Sequence, residues 1–152
     1  MICFIRIDNR LIHGQVVQSW LPKIKADKVL VISAQASQNS LMVKMMRMAL
    51  PQGYSLEVAP AKEAFNSLKQ ETDKKTFLLV EDLEQLFELT KQGLDPQAIN
   101  IGNTKYEEGK KDFSPGVYFD KKDLDLINNL KSKGFTFIVQ ALPSSLEVKI
   151  NA

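Results

Sequence analysis

Histidine and cysteine occur once each in this chain of 152 residues, as His13 and Cys3. That scarcity excludes a disulfide framework and leaves no His/Cys set from which a metal site could be assembled. Cys3 sits in an apolar run and is expected to be a buried small hydrophobe. No apolar stretch reaches the ~20 residues of a spanning helix, and the N-terminus has no basic-apolar-small signal pattern. A strong charge of either sign is missing too: 20 basic and 18 acidic side chains leave a formal charge of +2. No basic run is interleaved with aromatics, so nucleic acid is not an expected partner. Lys23, Lys25 and Lys28 are expected to be a solvated helix end, and Lys110-Lys111 exposed loop. Phosphate-cradling glycine motifs are also absent. There is no G-x-G-x-x-G, and Gly102 to Gly109-Lys110-Lys111 has the wrong spacing for a Walker loop. The first strand ends in one acid, without the acidic pair that an aspartyl-phosphate receiver uses to hold magnesium.

What the chain does have is alternation. Short β-branched runs at Ile2–Ile7, Lys28–Ser33, Ser55–Ala59, Thr76–Glu81, Gln97–Gly102, Val117–Phe119 and Phe135–Ala141 are separated by segments with helical spacing. This pattern predicts an α/β fold, an open and mostly parallel doubly wound sheet with helices on both faces, in a single domain over 1–152. Val16, Val17, Trp20 and Leu21 form one helical face, which Pro22 is expected to end. Ala64, Phe65 and Leu68 form a second, and Leu83, Leu86 and Phe87 a third, capped by Asp82 and closed at Gly93. Asp120 and Gly134 bracket the last helix, with Leu124, Ile127 and Leu130 facing inward. Leu41–Leu50 holds four of the five methionines, spread around the helix, so some should be exposed. They suit an irregular core or an adaptable docking face. Asn103–Gly116 is the least regular stretch.

The chemistry concentrates in Arg6-Ile7-Asp8-Asn9-Arg10-Leu11-Ile12-His13-Gly14-Gln15, between the first strand and the first helix. A loop entering a helix offers unpaired backbone N–H groups and partial positive charge, which suit an anion. His13 adds a nucleophile that titrates near neutrality, and Arg10 a planar donor fork whose charge persists at any relevant pH. Gly14 leaves room for a phosphate to approach the backbone, and Gln15 is a candidate contact. Asp8 can fix the imidazole tautomer, brace an arginine or cap the turn. Alternation puts Arg6 on the face of Phe4 and Asp8, where it reaches phosphate or pairs with an acid. Ser33, Glu81-Asp82 and Gly102-Asn103, at other strand ends, could line the same crevice or serve as caps and turns.

The string Arg6-Ile7-Asp8-x-Arg10-Leu11-Ile12-His13-Gly14-Gln15-Val16 resembles the active-site loop of IIB components of the mannose/fructose/sorbose family of the bacterial phosphoenolpyruvate-dependent sugar phosphotransferase system. The likeness continues through Val29-Leu30-Val31-Ile32 and Ile99-Asn100-Ile101-Gly102 to Val117-Tyr118-Phe119-Asp120. It implies a cytoplasmic phosphocarrier in which His13 and Arg10 are catalytic and Arg6, Asp8, Gly14 and Gln15 surround the phosphoryl group. The implied donor is a IIA phosphohistidine. The implied acceptor is a sugar presented by a IIC/IID membrane permease, with no metal or other cofactor. Family members often carry a second acid where this chain has Asn9, acids where it has Ala34-Gln35, and a glycine pair where it has Gly102-Asn103. These departures touch partner docking and sugar identity and spare the nucleophile. Two rival readings share the loop: a regulatory histidine phosphoacceptor without transport, and a non-catalytic α/β module that binds a sugar phosphate.

Overall fold

A computed structural model describes residues 1–151. Its centre is a seven-stranded sheet built from β1 (Ile2–Asp8), β2 (Lys28–Ile32), β3 (Ser55–Ala59), β4 (Thr76–Val80), β5 (Ala98–Asn103), β8 (Thr136–Val139) and β9 (Val148–Lys149). The order is β3-β2-β4-β1-β5-β8-β9, parallel throughout except for β9, which pairs antiparallel with β8. β1 therefore runs in the middle, between β4 and β5. Every residue of β2 and of β4 is buried, because helices cover both faces, and this explains their unbroken apolar runs.

Strand alternation divides the interior into two cores. On one face Ile5, Ile7, Leu30, Ile32, Leu78, Val80, Ile99 and Ile101 meet α4 (Ala64–Gln70), α5 (Leu83–Lys91) and α6 (Lys121–Ser132). On the other, Val29, Val31, Phe77 and Leu79 meet the first helix, α2 (Ala34–Ser37) and α3 (Ser40–Ala49). The second face changes character to the right of β1. There the inward positions carry Arg6, Asp8, Asn100 and Gln140, all buried, in place of apolar side chains.

Several expectations need correction. Val117–Phe119 is β7, but it pairs with β6 (Lys111–Ser114) in a separate antiparallel ribbon rather than joining the main sheet. β6 lies in the stretch read as irregular, and β9 in the terminal residues; both are too short to show a period. Pro22 does not end the first helix. Val16–Trp20 forms a π-helical turn that continues into α1 (Leu21–Ile24), with Pro22 in its first turn. A first-turn proline gives up an N–H that has no helical partner there, and the wider π turn before it removes the α pairing that its ring would break. The helix stops instead at Lys25, whose φ is 57°.

Cys3 is exposed, because β1 is fully covered only from Ile5 onward. Its residual burial pushes the thiol pKa up. Lys28 is not a solvated helix end but a buried residue of β2, pairing with Glu57 at 3.2 Å and Glu71 at 3.5 Å. Lys110 is half-buried against Asp123 at 3.2 Å, whereas Lys111 is exposed. Of the methionines on α3, Met46 is buried while Met42, Met45 and Met48 face outward.

The expected caps are in place. Asp82 accepts from Gln85 N–H at 2.9 Å, and Gly93 and Gly134 take the positive φ that follows α5 and α6. Asp120 accepts from Asp123 N–H while Asp123 accepts from Asp120 N–H, a reciprocal box at the start of α6. Asp120→Ala is expected to lower unfolding free energy by about 1 kcal/mol, read as a reduced urea midpoint with an unchanged slope.

Candidate functional site

The loop that follows β1 begins with a tight turn in which Leu11 N–H donates to Asp8 O at 3.0 Å. Leu11 closes that turn at φ 60°, a left-handed conformation that costs a non-glycine residue on the order of 1 kcal/mol. Burial of Leu11 and Ile12 in the second core holds it there. From the far side, Asn103 at the end of β5 ties down Asn9, by Asn9 N–H to Asn103 O at 3.2 Å and by a side-chain amide bond between the two. The turn thus buries its apolar residues and leaves His13 at its rim, with 18% of its side chain exposed.

Asp8 is the hub. Its carboxylate is fully buried and gathers four neighbouring groups. Arg10 donates from Nε to Oδ1 and from Nη2 to Oδ2, both at 2.9 Å, and its backbone N–H donates to Oδ1 at 3.1 Å. His13 Nε2 lies 3.2 Å from Oδ2, and Arg6 Nη2 lies 3.5 Å from the same oxygen. Burial acts to raise the Asp8 pKa, but hydrogen bonds from His13 and Arg10 and their positive charge outweigh it and hold the group down at about 2. Asp8 is therefore an ionised acceptor near neutrality. An ionised carboxylate has no proton to give, so His13 Nε2 carries the hydrogen of this contact, and in the neutral ring Nδ1 keeps its lone pair.

Arg6 does not reach out of the protein. Its guanidinium is completely buried and committed to the interior. Nη1 donates to the Asn100 side-chain oxygen and to Gln140 O (2.8 Å), and Nη2 donates to Ala141 O at 3.0 Å. The Trp20 ring lies 4.5 Å from its Cζ. Burial lowers the Arg6 pKa to about 10, with Asp8 opposing, so the charge persists at neutral pH. The expectation that Arg6 contacts phosphate is thereby corrected: the inward direction of the strand position leaves it no access to solvent. Asp8 likewise belongs to the scaffold around the imidazole, since an acceptor-only carboxylate gives a phosphate nothing to bind.

Arg10 is the exposed cation, with 37% of its side chain accessible. Its Nη2 also reaches Gln15 Oε1 at 3.4 Å. Gly14 and Gln15 are exposed beside His13, and a Cβ on Gly14 would meet nothing within 4 Å. Their N–H groups precede the first helical bond, from Val17 N–H to His13 O at 3.0 Å. The other strand ends are arranged differently. Ser33 caps α2 and donates to Glu81, and Asp82 caps α5. With Asn9 and Leu11 they line a cleft of about 1010 Å³ whose walls do not include His13. Sequence reasoning did not single out Asn100, Gln140 and Trp20 as parts of this site. The available signal was an amide side chain within one apolar strand, Asn100, and another directly after a second, Gln140.

The chain is similar to known proteins along nearly its whole length. The model of the PTS system sorbose subfamily IIB component matches residues 2–152. The N-acetylgalactosamine-specific phosphotransferase enzyme IIB component 1 of Escherichia coli (strain K12) is 30% identical over 151 residues, covering 98% of this chain and 96% of that one. The sorbose-specific EIIB component of Lacticaseibacillus casei is 27% identical, covering 95% and 92%. Among solved structures, the E. coli N-acetylgalactosamine-specific IIB component 1 superposes with a TM-score of 0.92 at 28% identity over 99% of both chains. The IIBSor domain of the Klebsiella pneumoniae sorbose permease gives 0.91 at 25% identity, covering 98% and 93%.

The charge network makes an acid-stability signature. A carboxyl depressed from its ordinary ~3.9 to about 2 stabilises the fold fully above about pH 4, and that contribution is lost as pH falls toward 2. The expected loss is roughly 2 kcal/mol in urea unfolding across that window. Asp8→Asn is expected to flatten this segment of the profile and to lower stability near neutrality, because Arg6 is left buried without its counter-charge, with the two proteins converging toward pH 2.

Proposed function

The chain belongs to the sorbose subfamily of PTS IIB components, which are phosphotransferases, and within that family we propose that His13 Nδ1 is the atom that carries the phosphoryl group. The observation that supports this is the engagement of Nε2 by an ionised Asp8, which leaves Nδ1 as the nucleophilic nitrogen. The donor is the phosphohistidine of a IIA protein or domain. The Nδ1 lone pair forms a bond to phosphorus as the bond to the donor imidazole breaks, and the electron pair returns to that ring. In the second step a sugar hydroxyl oxygen attacks phosphorus, the bond to Nδ1 breaks, and the hydroxyl proton passes to a base or to water. The sugar is presented by the IIC/IID membrane permease as uptake proceeds, on the cytoplasmic side.

Each neighbour has a part in this scheme. Transfer of a phosphoryl group is governed by positioning and by stabilising charge spread over three oxygens. Arg10 supplies that charge at the rim, with the edge of its guanidinium that Asp8 does not use. The N–H groups of Gly14 and Gln15 offer further donors, and the open space over Gly14 admits the oxygens. Asp8 accepts the hydrogen bond that keeps the proton on His13 Nε2 through both steps, and it stabilises the positive ring that makes phospho-His13 a good phosphoryl donor. A rim position suits a nucleophile that two macromolecules must reach in turn. Among the described residues no helix is long and apolar enough to cross a membrane.

Incubation with phosphoenolpyruvate, the general phosphocarriers and a cognate IIA protein is expected to label one site, acid-labile and base-stable. His13→Ala is expected to abolish the label, and label surviving in that variant overturns the assignment. Arg10→Lys should fold normally and accept phosphate about 10-fold more slowly or worse, since a point charge replaces a planar fork. Rapid-quench labelling measures that rate.

A further inference from the structure

We propose that Gly102 is a positioning residue for phosphoryl transfer, its missing side chain forming the slot in which the Arg6 guanidinium lies, so that Arg6 can brace Asp8 and through it His13. The proposal rests on His13 being the phosphoryl acceptor. β5 runs beside β1, with Arg6 opposite Asn100 and Ile7 opposite Ile101. Asn100 and Gly102 alternate with Ile99 and Ile101, so both present to the face on which Arg6 and Asp8 project. A Cβ built on Gly102 would overlap Nη2, Cζ and Nε of Arg6. The guanidinium is therefore laid flat over the bare backbone of β5.

Arg6 reaches Asp8 only from that slot. Its Nη2 is shared between Ala141 O at 3.0 Å and Asp8 Oδ2 at 3.5 Å, and Oδ2 is the same oxygen that faces His13 Nε2. The Trp20 ring rests on the guanidinium, and the Trp20 Nε1–H donates to the same Ala141 carbonyl at 3.1 Å. Asn100 and Gln140 hold Nη1 at the same time, so the cation is fixed at both of its terminal nitrogens. A methyl group at position 102 meets the far end of a side chain rather than backbone. The fold has a means of yielding, namely by displacing the guanidinium. Such a displacement withdraws Arg6 from Asp8, frees the carboxylate to swing toward Arg10, and loosens its hold on the imidazole.

His13 is the single histidine, so the ring nitrogens give unambiguous NMR signals in the intact chain. The wild-type protein is expected to show the Nε2–H tautomer, and Gly102→Ala a mixture of tautomers. Phosphoryl acceptance by Gly102→Ala should fall about 10-fold or more. In an Arg6→Lys background, where the guanidinium is already gone, adding Gly102→Ala should change neither the ring signals nor the rate by more than about 2-fold. Wild-type ring signals and rate in a folded Gly102→Ala variant overturn the proposal, as do equal losses in the two backgrounds. Should Gly102→Ala fail to fold, Arg6→Lys alone decides: an unaltered His13 tautomer in that variant overturns the brace. A wild-type protein that shows the Nε2–H tautomer yet takes no label at His13 defeats the phosphoryl reading while leaving the positioning result readable.

Discussion

One buried carboxylate determines what this site can do. Asp8 sits where a strand ends and a turn begins, and it is the common partner of two arginines and the histidine. Held ionised mainly by hydrogen bonds from His13 and Arg10, it fixes which nitrogen of a neutral imidazole carries the hydrogen. Remove that negative charge and three features fail together: Arg6 loses its counter-ion, Arg10 its anchor and His13 its tautomer. Taking these charges out of water offsets part of the attraction between them, so the gain in stability is modest. What the carboxylate supplies is one geometry in place of several.

The sheet supports that geometry by an unusual division of one face. To the left of β1 the second face is apolar and packs helices in the ordinary way. To the right, the corresponding space is filled by one long cationic side chain whose hydrogen-bonding partners come from β5 and from the end of β8. β1 belongs to both halves, which is why the loop it launches can draw on a packed core for Leu11 and Ile12 and on a polar network for Asp8. The left-handed turn at Leu11 is tolerated because its cost is small against the burial of two aliphatic side chains.

Much of this was legible in the order of residues. Apolar runs marked the strands of the parallel sheet, and Asp82, Asp120, Gly93 and Gly134 marked helix ends, because caps and unbroken burial are local physics. The clustering of Arg10, His13 and Gly14 was legible for the same reason. Arg6 was not, since its fate depends on which strand lies beside β1 and on a glycine 96 positions away, and neither is written near it. Lys28 is a similar case: its acids, Glu57 and Glu71, arrive from separate elements. Cys3 misled because an apolar run says nothing about where helical cover begins. Pro22 misled because a π turn upstream changes which hydrogen bond a proline would have broken.

The partners of Arg6 carry an implication for how the site is assembled. Gln140 and Ala141 lie 134 and 135 residues beyond it along the chain. The turn at Leu11 needs only its neighbours, whereas the guanidinium finds its hydrogen-bond partners only once strands far apart in sequence have met. The surroundings of the imidazole are thus a property of the finished fold, and an excised loop peptide does not carry them.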